Sequence, residues 1–138
     1  MPGLSRFRVA QDGGVYEAAL AELRAGRKQG HWMWFVFPQI EGLGRSEMAR
    51  RYSIANRSEA ASYLEDPVLG PRLNQCTDAM LAWAGRRSAE AILGPIDAMK
   101  FRSSMTLFEA AAPAAALFSK ALDAFFAGRR DEATIERL

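Results

Sequence analysis

The segment His31-Trp-Met-Trp-Phe-Val-Phe-Pro-Gln39 decides how the whole chain folds. Seven apolar residues with a valine and four aromatic rings suit either a buried strand or a short buried helix. A strand needs partners for its backbone amides and carbonyls, because an unpaired buried peptide group is costly. No other stretch offers convincing partners, so the segment reads as a short helix ended by Pro38. Everything around it then reads as helix or turn.

Outward from this segment, helical spacing dominates. Tyr16, Leu20 and Leu23 recur at i, i+4 and i+7, with Gly26 as a stop, which predicts a helix over 14–25. Ser46 and Ser58 each precede a glutamate, the pattern of an N-cap with an acid in the positive first turn. In Glu65-Asp-Pro-Val-Leu-Gly-Pro-Arg-Leu73 the two prolines forbid a continuous helix. Gly70 as cap and Pro71 as first residue predict a helix to about Ala84, with Leu73, Cys76 and Met80 on its apolar side. A short helix at 88–93 follows. Phe101, Met105, Phe108 and Ala112 mark another, ended by Pro113, and Leu117 to Phe126 a further one with Gly128 as stop. A last short helix starts at Asp131. The expectation is an all-α array of about seven helices, in one domain spanning 1–138.

The bulk composition bounds the function. With 138 residues, 49% hydrophobic and 25% charged, the chain is long enough and apolar enough to bury its own core. A formal charge of +2 is too small to imply nucleic acid by itself, and nucleic acid is not expected as partner on that ground. Basic residues do flank the aromatic segment: Arg24, Arg27 and Lys28 before it, Arg45, Arg50, Arg51 and Arg57 after it. They form either a local basic face or a solvated rim. The single cysteine and the lack of an apolar leader point to a reducing cytoplasm, and no apolar run reaches the roughly 18 residues that span a bilayer.

Three stretches, Lys28-Gln-Gly-His-Trp-Met-Trp-Phe-Val-Phe-Pro-Gln-Ile-Glu-Gly-Leu-Gly-Arg-Ser46, the segment 65–73 already quoted, and Lys100-Phe-Arg-Ser-Ser-Met-Thr-Leu-Phe108, resemble in order and spacing a widespread bacterial family of unknown function. Its members often carry the label calpastatin. The resemblance runs from Phe7 to about Ile135 and implies a multihelical single domain, with no activity attached. The label itself conflicts with the composition: calpain inhibitors of that name are disordered, whereas three tryptophans and eight phenylalanines in helical register build a core.

Several residues are candidates for chemistry. His31 is the one side chain whose ordinary pKa lies near neutrality, and with Glu41 it is a candidate acid or base if a hydrolytic or transfer step occurs. Arg102, Thr106 and Glu109 share one helical face, where an arginine fork beside hydroxyls suits a carboxylate or phosphate, with Lys100, Ser103 and Ser104 adjoining. The alternative is that this face is spent on contacts inside the protein. The loop 38–46 offers Gly42, Gly44 and the helix start at Ser46, although it lacks the full glycine pattern of a dinucleotide fingerprint. The spacing supplies no metal set and implies no cofactor. If the stretches converge, Trp32 and Gln39 join them in a pocket for an anionic nucleotide or ADP-ribose-like ligand. The competing reading is a non-catalytic interaction module that presents aromatic and arginine side chains to a protein or nucleic acid.

Overall fold

A computed structural model of the chain describes residues 3–138; the expected 1–138 span begins two positions earlier, outside the described residues. Helix α1 (Ser5–Gln11) leads into α2 (Val15–Arg24), and the deciding segment forms α3 (Met33–Val36), a single turn whose backbone stops before Pro38. Beyond it the chain is extended only briefly. Glu41 donates its amide to the Ile54 carbonyl at 2.8 Å and Ile54 donates to the Gln39 carbonyl at 2.9 Å. This parallel bridge is the one pairing of extended backbone among the described residues.

Next come α4 (Glu47–Arg51), α5 (Arg57–Glu65), α6 (Leu69–Leu81) and α7 (Ala89–Leu93). The chain ends with α8 (Pro95–Ala111), α9 (Ala116–Phe126) and α10 (Glu132–Ile135). The described residues therefore hold ten helices, where about seven were expected. The short elements each count as a separate helix, and α1 is the one helix without a counterpart in the sequence reading, its seven residues being too few to show a periodicity.

Two helix starts differ from expectation. Ser46 caps α4 as anticipated, accepting from the Ala49 amide, but α5 is capped by Asn56 rather than Ser58. The Asn56 side chain accepts from the Glu59 amide, and Glu59 reaches back to accept from the Ala55 amide at 2.9 Å. This reciprocal pairing satisfies more open donors than a serine two positions later would. Helix α6 begins at Leu69, two residues before Pro71. Its open amides at Val68 and Leu69 donate to the Asp66 carboxylate at 2.9 and 3.0 Å, so Gly70 has no capping work. Gly70 instead permits close packing: a Cβ there would lie 2.1 Å from the Leu64 carbonyl oxygen.

Helix α8 runs through the centre. Phe101 is wholly buried and meets Phe37 edge-on at 4.9 Å, with Phe125 and Phe126 at about 6 Å beyond it. Phe108 lies between Tyr63 and Phe118. Cys76 faces the same interior, and burial pushes its thiol up to about 12, as fits a small core residue. Because α3 docks Trp32, Phe35 and Phe37 into this core, the loop after Pro38 is carried to the N-terminal half of α8.

Candidate functional site

The first turns of α8 divide their side chains sharply. Phe101 and Met105 point inward, while Ile96, Met99, Lys100 and Ser103 share the opposite face. Ile96 and Met99 are 72% and 70% exposed, unusual for large apolar residues one turn apart. They border a hollow of about 310 Å³, closed on its other sides by Gln39, Leu43 and Gly44 of the loop and by Asp131 and Ala133 at α10. The loop is held there by packing. A Cβ on Gly44 would lie 2.4 Å from that of Ala49, so the loop rests directly on α4.

Charges around this groove are partly spent. The Lys100 ammonium is 3.6 Å from Asp97, whose other oxygen is 3.0 Å from Lys28, and it sits 5.3 Å from the centre of the half-buried Trp34 ring. Asp131 accepts from the Ser103 hydroxyl at 2.8 Å and from the Thr134 hydroxyl and amide. The Ser103 proton is therefore committed, and no histidine lies along the groove to activate it. What remains is suited to holding a molecule: an apolar rim, a primary amide, a hydroxyl oxygen, an ammonium and a carboxylate.

The neighbouring face of α8 is used internally. Arg102 donates to the Arg130 carbonyl at 3.0 Å; Thr106 accepts from the Asp131 amide at 2.9 Å and donates to the Arg102 carbonyl. Glu109 receives Arg130 in a two-pronged contact and the Ser119 hydroxyl at 2.7 Å. The face that an anion was expected to use thus holds Arg130 and Asp131, with Ser119, of the chain itself. Ser104 points into the core, its hydroxyl oxygen without a hydrogen-bond partner among the described residues. The Arg130 hydrogen bonds hold the Glu109 carboxyl below its ordinary value of 4.5, against the opposing effect of burial. A lowered folded-state pKa contributes stability that is present above the ordinary value and lost as pH falls through the depressed one. Glu109→Gln is accordingly expected to cost about 1.5–3 kcal/mol at neutral pH, with the gap to wild type narrowing in urea melts as pH falls below the ordinary carboxyl range.

The remaining candidates lie apart from the groove lining. His31 is exposed. Trp32 is only 3% exposed and donates its indole N–H to Glu22 at 2.9 Å. The same oxygen accepts the Gln29 and Gly30 amides, so the tryptophan is a core plug tied to its own loop. These bonds and Lys28 hold the Glu22 carboxyl below its ordinary range although burial, the largest single influence, raises it. Glu41 is exposed beside a separate hollow of about 160 Å³ with Arg6, Arg50 and Arg51, and Ser46 is engaged as the α4 cap. Of the ten residues expected to meet, Gln39, Lys100 and Ser103 share the groove. Among the described residues no three His, Cys, Asp or Glu side chains gather as a metal site, and no helix is long and apolar enough to cross a membrane.

The comparisons with known proteins agree with the helical architecture. A family model described as "Protein of unknown function (DUF1810)" matches residues 2–138. The chain belongs to the DUF1810 family. A crystal structure of the conserved hypothetical protein Rv1873 from Mycobacterium tuberculosis, at 1.38 Å, is 48% identical, with a TM-score of 0.93 over 98% of this chain and 95% of that one. No curated protein matches. Neither description carries the calpastatin label, and neither gives an activity.

Within this DUF1810 chain, the groove residues that sequence reasoning passed over are Ile96, Met99, Leu43 and Asp131. A signal for the first two is present in Pro95-Ile-Asp-Ala-Met-Lys-Phe101: an apolar pair at i, i+3 that falls opposite the Phe101, Met105, Phe108 stripe. Asp131 was legible as a helix start, which it is, but its second bond to Ser103 is a tertiary contact without a sequence pattern.

Proposed function

We propose that this DUF1810 protein is a cytoplasmic small-molecule binding domain, and that its ligand is anionic, ring-bearing and of about mononucleotide size, a nucleotide or ADP-ribose fragment being the type. The observation that carries this reading is the meeting of two distant sequence stretches, 39–44 and 96–103, around one hollow with an exposed apolar rim. Met99 and Ile96 offer a greasy face for a ring. The Gln39 amide suits the edge of a heterocycle, and Lys100 suits the anionic group. A volume of about 310 Å³ is at the foot of the range for ligand pockets, roughly 300–1,000 Å³, and this favours one ring system over a dinucleotide. Binding without turnover is the simpler account, because Asp131, the carboxylate that accepts the Ser103 proton, is also held by the Thr134 hydroxyl and amide as a helix cap, and no histidine lines the groove.

A thermal-shift screen against nucleoside monophosphates, ADP-ribose and dinucleotides tests this. A ligand at a hundred times its dissociation constant contributes about 2.7 kcal/mol, enough to raise the midpoint by several degrees. The expected shift is abolished in Lys100→Ala and kept in Arg102→Ala, which lowers the starting midpoint by removing an internal contact. A flat response across the panel, or a shift lost only in Arg102→Ala, counts against the groove.

A further inference from the structure

The C-terminal ends of α2 and α6 meet at a surface of different character. Trp83 donates its indole N–H to the Leu23 carbonyl at 3.0 Å, and its ring lies so close to Gly26 that a Cβ there would be 2.8 Å away. The ring is thereby fixed at the surface, half-buried. The Arg86 guanidinium stacks 4.7 Å from its centre and Arg87 lies 5.9 Å away. Two open hollows of about 380 and 340 Å³ adjoin here and share Arg86, the first reaching Arg24 and the second Arg87 and the half-buried Phe125. Arg24, Arg86 and Arg87 make no ion pair among the described residues, nor does Arg27, beside Gly26; Asp78 is the one carboxylate lining either hollow.

Guanidiniums without a carboxylate partner, set among aromatic rings over two adjoining hollows, match the pattern by which proteins follow a single strand, phosphates on the cations and bases on the rings; Arg87 spends one N–H on the Ala91 carbonyl at 3.2 Å. We propose that this surface binds single-stranded nucleic acid, along a track running from Arg24 past Trp83 and Arg86 to Arg87 and Phe125. The small net charge of the chain hides the track, because Asp78 is the one acidic side chain that lines it. A lipid surface fits less well: the most exposed large apolar residues, Val9, Ile96, Met99, Ile135 and Leu138, all lie outside both hollows. An acidic protein segment would use the arginines and leave the rings idle. The track shares no residue with the groove of the proposed function, so either can fail alone.

The test is fluorescence anisotropy with fluorescein-labelled 12-mers of thymidylate and uridylate, beside a labelled polyglutamate peptide. Three or four phosphate contacts predict that affinity falls roughly 20- to 50-fold between about 50 and 200 mM salt. The double variant R86E/R87E, at exposed positions, should weaken binding at least tenfold while the melting midpoint falls by only about 2–4 °C through loss of the Trp83 stacking and the Arg87 bond to the Ala91 carbonyl, and R24E should weaken binding with the same salt signature. No oligonucleotide binding below about 100 µM at low salt overturns the proposal. So does equal binding by wild type and both variants, or a preference for polyglutamate, which would assign the surface to an acidic protein.

Discussion

Trp32→Ala is expected to lose about 3–5 kcal/mol of stability, a fall in melting midpoint on the order of 10–20 °C for a domain of this length. Trp32 is buried against Phe37, and its indole N–H is one of three donors on a single Glu22 oxygen. Truncation therefore opens a cavity and also leaves a half-buried carboxylate short of a partner. Trp34, two residues on, is half-buried and its ring meets Lys100 at the surface, so Trp34→Ala should cost only about 1 kcal/mol. Chemical denaturation of the two variants compares them directly. Equal losses would mean that the two rings are equally buried and that α3 is rotated from the orientation described.

The second large effect is at Gly70. Helix propensity alone argues that alanine at this position, inside α6, should stabilise the protein by about 1 kcal/mol. The packing argues the reverse and wins on magnitude. A methyl group 2.1 Å from the Leu64 carbonyl oxygen and 2.9 Å from its carbon meets backbone, which has no rotamer to escape through. Separating α5 from α6 to admit it disturbs Leu69 and Tyr63, both wholly buried. Gly70→Ala should therefore destabilise by about 3 kcal/mol or more. Ala61→Gly, at a half-buried position of α5, should cost only about 1 kcal/mol by propensity, which serves as the control. A gain in midpoint for Gly70→Ala would show that the helices do not approach this closely.

Much of the fold was legible because it rests on periodicity. The stripe of Phe101, Met105 and Phe108 needs nothing but a 3.6-residue repeat to be recognised, Ser46 acts as the cap that the sequence suggests, and the short helices expected from Ser88 and Asp131 form with those residues as their caps. Helix α1 was not legible, since its seven residues bury Phe7 and Gln11 and leave Val9 71% exposed, which blurs any apolar stripe. Asn56 was overlooked beside the more conspicuous Ser58-Glu59, although Asn is as good a cap as Ser. The site was legible only in part. Arg102, Thr106 and Glu109 do share a face, as helical geometry requires, but whether that face meets a ligand or the chain's own Arg130 and Asp131 depends on a contact about 25 residues away in sequence. Residue type alone favours an anion site in both cases. Trp32 illustrates the same point: its aromatic ring suits ligand stacking or core packing equally, and the Glu22 hydrogen bond belongs to the second.

The proposed ligand site is the groove between residues 39–44 and the start of α8. The most direct measurement is a ¹H–¹⁵N NMR titration of the isotope-labelled protein with adenosine monophosphate and ADP-ribose, followed residue by residue. Binding in the groove should shift the side-chain amide of Gln39 and the backbone amides of Gly44, Lys100 and Ser103, moving together, and the shifts should be absent in Lys100→Ala. Spectra unchanged at these positions, or shifts gathered instead around Trp83 or Glu41, would contradict it.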